Sequence, residues 1–431
     1  MSGGAADVII IGAGAAGLAA ARELARHGFK AIVIEARDRI GGRIWTQRIA
    51  GWPRPVELGA EFIHGGNRAL WSLVRHAGME KQPVPARHWL FQSGRLRPQL
   101  DTQKRIDVVM RRIGRGFRSS AGEWLQLHAS SISAADRLLM QNYVENFHGA
   151  PLSRMSARTL RAAAAAEDDA QFRLPGGYDG LISSLCDGAP SGLEIHLQSP
   201  VEWVRWKRHH VLVTAGRRRW RARAAIVTVP LGVLHAAASG LGGIRFDPPL
   251  VEKQRLWRKL ESGHAFRIVF RLRDTAWQER IIPAELRAHR GRGFGFLRSF
   301  EEAFPVWWSE APDPMLVGWT GGPPAAAMAG LAKKEIFCRA LHTLSRLLRC
   351  KADALADLIV DWRTHDWTSD PFSRGAYSFS TAGYETAPAK LAASVKGTLF
   401  FAGEATADSL DLGTVHAALA SGQRAAREAR G

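Results

Sequence analysis

Between Asp7 and His27 the chain reads DVIIIGAGAAGLAAARELARH, an order of residues that few folds accommodate. Val8 to Ile11 is a short apolar run that predicts a buried strand. Gly12, Gly14 and Gly17 follow at the spacing G-x-G-x-x-G, and an Ala/Leu-rich helix begins at once. Each glycine has its own physical reason. The first permits a tight turn, the second lets the backbone come close to a pyrophosphate, and the third lets the helix lie against the strand. The helix N-terminus offers free N–H groups and partial positive charge to a phosphate. Alone, this spacing is a weak signal. Here a second apolar run, Ala31 to Ile34, ends in Glu35 about twenty residues on, where a carboxylate accepts ribose hydroxyls. The expectation is a dinucleotide-binding strand–helix–strand unit with Gly12, Gly14, Ala16, Gly17 and Glu35 at its contacts.

Directly after Glu35 the chain runs ARDRIGGRIWT. Gly41-Gly42, flanked by Arg39 and Arg43, makes a further phosphate-approach turn that NAD does not require. Two guanidinium donors near the pyrophosphate suit a tightly held FAD, and Ala36, Arg37, Gly42 and Arg43 join the expected contacts. At the far end, Leu399 to Phe401 predicts another strand, Gly403-Glu404 a turn, and Gly413-Thr414-Val415 the opening of an Ala-rich helix. Without a ligand, Thr414 is an ordinary helix N-cap.

At 431 residues the chain is too long for one ordinary core, since single cores stop growing near ~250–300 residues. Two interleaved domains fit better. Hydrophobic residues at 46% and charged residues at 23% are those of a globular protein. No stretch approaches the roughly 18–20 apolar residues of a membrane helix, and the first apolar run leads into a Gly turn, not a cleavage site. The expectation is a soluble, cytoplasmic protein without a membrane anchor. Cys186, Cys338 and Cys350 are widely separated, with no C-x-x-C pair and no nearby His at ligand spacing, so they read as buried thiols and no metal is expected.

The net charge of +19 allows a nucleic-acid or anionic-membrane partner, or an arginine-rich surface with no specific partner. The basic residues are dispersed. Their densest run, Arg217, Arg218, Arg219, Arg221 and Arg223, alternates with Trp220, Ala222 and Ala224 and reads as a solvated strand edge, not as a specific nucleic-acid site. The same field would repel a polycationic substrate unless the mouth of the site is locally acidic.

Taken together, the segments EARDRIGGRIWT, ELGAEFIHG (57–65), LPGGYDGL (174–181), IVTVPLGVL (226–234), the stretch ending at Trp277, DWTSDPFSRGAY (366–377) and LFFAGEAT…GTVHAALASG (399–422) resemble the flavin amine oxidase superfamily. That superfamily includes monoamine, polyamine and L-amino acid oxidases and histone lysine demethylases. The motifs occur in the family's order over nearly the whole chain. The resemblance implies an α/β fold: a Rossmann-like, GR2-type FAD-binding domain (1–82, 193–256, 370–431) interleaved with an α+β substrate-binding domain (83–192, 257–369). Helical patterning marks 104–117 and 134–147, and the alanine run 162–166 reads as helix surface or packing. Short strands are expected at 193–197, 201–204, 211–214 and 224–229.

By the same resemblance FAD is held non-covalently, because Ala376 stands where monoamine oxidases attach the flavin through a cysteine. Backbone near Val201 meets the adenine, Gly59, Ala60 and Glu61 contact the cofactor, Gly403 and Glu404 serve the ribityl or phosphate, and Thr414 and Val415 face the flavin pyrimidine. Tyr377 takes one position of an aromatic cage around the substrate amine and Trp367 lies near the ring. The second cage position falls on Thr414, so the cage is incomplete or is completed from elsewhere by Trp319 or Phe296. His64 sits where polyamine oxidases contact the amine chain; it binds substrate, accepts a proton, or is a hydrogen-bonded histidine beside the flavin loop. Glu61 is a weaker candidate of that kind.

The main departure is Arg267, ten residues before Trp277, where the family places a lysine that holds a water against flavin N5. Arginine keeps the charge but is forked and practically never deprotonated. It either weakens oxygen activation or pairs an anionic group of the substrate. The reaction implied is oxidation of an amine or amino acid, with hydride passing to the flavin and O2 reduced to peroxide. Two alternatives stay open: a desaturase or protoporphyrinogen-type oxidase on the same fold, and a flavin-fold protein with weakened or lost oxidase activity.

Overall fold

The computed structural model describes residues 5–85, 87–165, 170–187, 193–236, 240–289, 293–300, 302–408 and 410–431. Its centre is a five-stranded parallel sheet in the order Leu193–His196, Ala31–Ile34, Val8–Ile11, Ala224–Val227, Leu399–Phe401. Strands covered on both faces have no polar side to show, which is why these segments read as unbroken apolar runs. Successive side chains point to opposite faces. Val8, Ile10, Ala31 and Val33 pack against the helices Ala15–Arg26 and Val415–Arg430. Ile9, Ile11, Ile32 and Ile34 pack against a four-stranded sheet built from Trp203–Lys207, His210–Ala215, Arg218–Ala222 and Arg245–Asp247.

Those first and last helices lie in direct contact, because a Cβ at Gly422 would sit 2.0 Å from the Ala16 carbonyl oxygen. This joins the two ends of the sequence at one site. Arg218–Ala222 is an edge strand of the four-stranded sheet, with Arg218, Arg219 and Arg221 exposed and Trp220 buried, as a solvated edge requires.

A seven-stranded sheet follows the order Ile359–Thr364, Ala265–Leu272, Met315–Gly321, Val306–Ser309, Phe296–Ser299, His88–Gln92, Arg95–Pro98. Phe266, Ile268, Phe270 and Leu272 pack on the face covered by the helix Lys333–Leu348. The alternate residues Arg267 and Val269 therefore face the other way, toward Trp308, Phe296 and Trp319. A helical cluster, Thr102–Arg111, Ala121–Leu127, Ala134–Phe147 and Ala157–Ala163, closes that side.

The helix expected over 104–117 stops at Arg111, short of Gly114 and Gly116. The alanine run contributes helix only to Ala163, and Ala166 lies outside the described residues. Trp203–Lys207 begins two residues later than 201–204 would have it, leaving Val201 in the loop before the strand. The cysteines are not buried as expected: Cys338 is exposed on its helix, and Cys186 and Cys350 are half-buried. Among the described residues no helix is long and apolar enough to cross a membrane.

Candidate active site

A cavity of about 1280 Å³ begins at the carboxyl ends of the parallel strands and extends beneath the seven-stranded sheet. Its first part is built mostly from backbone. Gly12 has φ +109°, and a Cβ on Gly17 would lie 1.9 Å from the Gly12 carbonyl oxygen, so turn and helix can meet only with glycine at both positions. A Cβ on Gly14 would find only Gly42 Cα, 3.9 Å away, so the space over Gly14 is open to a ligand. The helix behind it has no side-chain cap and no acid in its first turn, which leaves its N-terminal N–H groups to an anion. Glu35 accepts from the Ala13 N–H (2.7 Å) and the Arg37 N–H (2.9 Å), and each oxygen keeps a further lone pair for a ribose hydroxyl.

Gly12, Gly14, Ala16, Ala36, Arg37, Gly42, Arg43, Gly59, Ala60, Glu61, Val201, Gly403, Glu404, Thr414 and Val415 all line this cavity, whereas Gly17 lies behind it as a packing residue. Arg37 grips Asp370 with two hydrogen bonds, 2.8 and 2.9 Å. Burial would raise the Asp370 pKa, but donors from His365 and Arg37 outweigh it and hold the carboxyl well below its usual range. Arg43 donates to Glu404 and to the Ala376 carbonyl, both at 2.8 Å, and Glu404 also accepts from the Gly413 N–H at 3.0 Å. This ties the second Gly pair to the C-terminal motif. Arg39 departs from expectation: it turns away from the cavity, over the Trp45 ring at 4.5 Å, with its Nη1 on the Ile40 and Ile44 carbonyls. One of the two guanidiniums expected at the pyrophosphate is therefore spent on packing.

The second part is built from side chains. Arg267, 6% exposed, forms an ion pair with Glu61 and lies 5.3 Å over Trp308. Glu61 also faces Arg173 at 3.7 Å; Arg173 pairs with Glu310, and Glu310 with Arg54 at 3.0 Å, which reaches Asp313. Burial pushes Glu61 up, yet Arg267 and Arg173 prevail and hold it down. Glu310, buried and close to Glu61, is held up despite Arg173 and Arg54. The charge on Arg267 is therefore matched within the protein, so the sequence-based idea of a free cation for a substrate anion does not fit this position. Nearby Glu57 is pushed up to about 7 by burial, partly offset by the Tyr178 N–H and the Thr46 hydroxyl.

Tyr377 donates to the Phe147 carbonyl at 3.0 Å, and the Trp319 Nε1–H donates to the neighbouring Asn146 carbonyl at 2.8 Å. Both rings thus hang from the last turn of the helix Ala134–Phe147, and both line the cavity. Trp319 is in register with Arg267 on the adjacent strand. Gly149 and Gly413 press on the Tyr377 ring, since a Cβ at either would lie within 3.4 Å of it. Trp367 is fixed by its Nε1–H on the Leu58 carbonyl (2.8 Å) and by an edge contact with His365. Thr414 is the N-cap of the last helix, accepting from the Ala417 N–H at 3.2 Å, as its ligand-free reading had it. Phe296 lines the cavity but stacks on His88 at 5.2 Å, so Trp319 is the better match to Tyr377.

His64 lies edge-on to Phe147 at 5.2 Å; burial, and then His416, push its pKa down to about 4. It is neutral near pH 7. His148 and His88 are also pushed to about 4, by burial first and then by His64 and Arg298 respectively. Arg173, Glu310, His88 and Arg298 were missed in the sequence. Period-two alternation from Phe296 places Arg298 on the same face and was the available signal.

A Gly-rich βα turn, an acidic strand end and a long cavity covered by a second sheet define an FAD-type dinucleotide fold with an aromatic-lined space beside it. The profile of the flavin-containing amine oxidoreductases matches residues 15–430, and the chain belongs to that family, whose cofactor is FAD. It is 29% identical to human lysine-specific histone demethylase 2 over 93% of the chain and 50% of that protein. It is 27% identical to rice polyamine oxidase 3 over 98% of the chain and 89% of that protein. The chain spans about half the length of the demethylases it matches. Its fold is that of a putrescine oxidase solved with putrescine (TM-score 0.79, 23% identity, 99% of both chains) and of cyclohexylamine oxidase from Brevibacterium oxydans (TM-score 0.78, 22% identity).

Proposed function

We propose that this chain oxidises the C–N bond of a small-molecule amine, releasing an imine that hydrolyses to a carbonyl product, with O2 as the final electron acceptor. The observation that carries this reading is the pair Tyr377 and Trp319, two rings anchored on consecutive carbonyls of one helix end and facing the same cavity as Thr414 and Val415. FAD, when bound, would supply the hydride acceptor.

The residues of the chain have three tasks. Gly12, Gly14, Glu35, Gly42, Arg43 and the N-terminus at Val415 hold the cofactor; the open space over Gly14 and the cavity volume, above the ~300–1,000 Å³ of an ordinary ligand pocket, fit a dinucleotide with a small substrate beside it. Retention is non-covalent: Ala376 offers no thiol, and none of the three cysteines lines the cavity. Tyr377 and Trp319 orient the amine, whose reacting form must be neutral. His64, on the cavity wall and neutral near pH 7, meets the amine as an uncharged imidazole and sets no second positive charge beside it. The buried carboxylates on the cavity wall, Glu35, Glu61 and Glu404, each have protein partners, so none of these three is left to hold the substrate as an ammonium ion.

Aerobic incubation of the holoenzyme with primary and secondary amines is expected to give peroxide and carbonyl product in equal amounts, and Tyr377→Ala is expected to lower the rate at least tenfold. Turnover of ring or isoprenoid C–C substrates with none of any amine would overturn the proposal.

A further inference from the structure

Arg298, half-buried, stands apart from the other arginines at or near the cavity. Arg37, Arg43, Arg54, Arg173 and Arg267 each meet a carboxylate, but among the described residues no carboxylate pairs with Arg298. Its contacts are neutral. Nε donates to His88 Nδ1 at 3.3 Å, Nη1 reaches Asn142 Oδ1 at 3.5 Å, and the guanidinium lies 5.7 Å from the Phe296 ring. Neither bond uses Nη2, and Arg298, His88 and Asn142 all line the cavity. Burial pulls the guanidinium down to about 10, with no opposing carboxylate among the described residues, yet it remains charged at neutral pH. A charge withdrawn from water with no counter-charge among the described residues is costly unless a ligand supplies one.

Two further polar groups lie on the same wall, of which only the Thr102 hydroxyl can donate to an anion as it stands. The Gln99 side-chain oxygen and the Thr102 hydroxyl are buried on the cavity wall without partners, and the Gln99 backbone N–H bonds to the His88 carbonyl. His88 must accept from Arg298 through Nδ1, so it is the neutral Nε2–H tautomer. From here an aromatic wall leads to the reaction end. Arg298 contacts Phe296, Phe296 lies 5.7 Å from Trp308, and Trp308 lies 5.3 Å from Arg267, which is in register with Trp319.

We infer that Arg298 is a binding site for an anionic group at the far end of the substrate: the amine enters with a carboxylate separated from the reacting nitrogen by a chain or ring. This deepens the amine-oxidase reading and rests on it. Three contact steps separate Arg298 from Arg267, too many for the carboxylate of an α-amino acid and suited to an ω-amino acid. The wall between them is aromatic, so the spacer is apolar. A diamine would place a second cation against an unpaired guanidinium in a low-dielectric space, where like charges repel strongly.

The test compares 6-aminohexanoate, hexylamine and 1,6-diaminohexane as reductants of the holoenzyme flavin under anaerobic conditions, in wild type, Arg298→Met and Arg298→Lys. The expected order in the wild type is aminohexanoate, then hexylamine, then the diamine, with at least tenfold between first and second. Arg298→Met is expected to cut the aminohexanoate-to-hexylamine ratio at least tenfold, and Arg298→Lys to keep part of it. In parallel, calorimetric binding of hexanoate to the holoenzyme, without turnover, is expected to weaken at least tenfold in Arg298→Met. An unchanged ratio, a wild-type preference for the diamine, or hexanoate binding no tighter than hexanol would overturn the assignment. If hexylamine reduces the flavin and aminohexanoate does not, the amine-oxidase reading survives and the anionic site falls. If no amine reduces it but hexanoate binding depends on Arg298, the opposite holds.

Discussion

The two ends of the cavity are made by different means. At the cofactor end the groups facing the ligand are backbone or are braced by neighbouring motifs: Glu35 by the Ala13 and Arg37 N–H groups, Glu404 by Arg43 and the Gly413 N–H. At the substrate end the wall is assembled from side chains of separate strands, Arg267, Trp319, Phe296 and Arg298, and of one helix, Asn142 and Phe147. A backbone site demands glycine at fixed spacing, and a substitution breaks either the fold or the ligand contact. A side-chain site depends on sheet register and tolerates change one residue at a time.

The largest expected effect breaks that contrast open within a single loop. Gly17→Ala sets a Cβ 1.9 Å from the Gly12 carbonyl oxygen, a clash expected to cost ~3 kcal/mol or more and to remove soluble protein. Gly14→Ala meets no protein atom closer than 3.9 Å, so the chain should fold, with near-unchanged circular dichroism, but lose at least tenfold in flavin-to-protein ratio. Equal behaviour of the two variants would refute the division of roles between these glycines.

The same contrast explains what was legible in the sequence. Val8–Ile11, Ala31–Ile34 and Leu399–Phe401 are strands buried on both faces, and their apolar runs mark them to the residue. The glycines and Glu35 stand at spacings set by covalent geometry. Arg267 and Tyr377 could be placed by motif, but not the partners that decide their state. That Glu61 neutralises Arg267, and that the Asn146 and Phe147 carbonyls anchor two rings, depends on contacts across 206, 173 and 230 residues of chain. Arg39 shows the converse: correctly spaced beside the Gly pair, it was drawn away by Trp45, two residues past Arg43.

At the substrate end the ladder from Arg267 to Asp313 should yield the next effect. Glu61→Leu strands the buried guanidinium of Arg267, while Arg173 keeps Glu310, and is expected to cost about 3–5 kcal/mol in chemical denaturation. Adding Arg267→Met should recover part of that loss, and strict additivity would contradict the pairing.

The histidines give a smaller effect with a definite sign. His64, His88 and His148 fold with pKa values of about 4, below their ordinary 6.5. The unfolded chain binds more protons between those values, so the stability they contribute is full above 6.5 and is lost as pH falls toward 4. Glu57, pushed up to about 7, works in the opposite sense: its contribution is present below 4.5 and lost as pH rises through 7. The three histidines together should lower the melting temperature on the order of several degrees between pH 7 and 5, with Glu57 and Glu310 opposing them. His148→Phe should flatten that slope; a steeper slope would sink the assignment.

The smallest effect is that of Tyr377→Phe. It removes only the bond to the Phe147 carbonyl, and a loss of about 1 kcal/mol in stability with a few-fold slower flavin reduction is expected.

If the two ends work as one cavity, an amine at the second reduces a flavin at the first. Anaerobic stopped-flow mixing of the holoenzyme with amines tests this most directly. The flavin's visible absorption should bleach at a rate that saturates with amine and slows at least tenfold in Tyr377→Ala, with the flavin still bound. Bleaching that is absent for every amine, or indifferent to Tyr377, would contradict it.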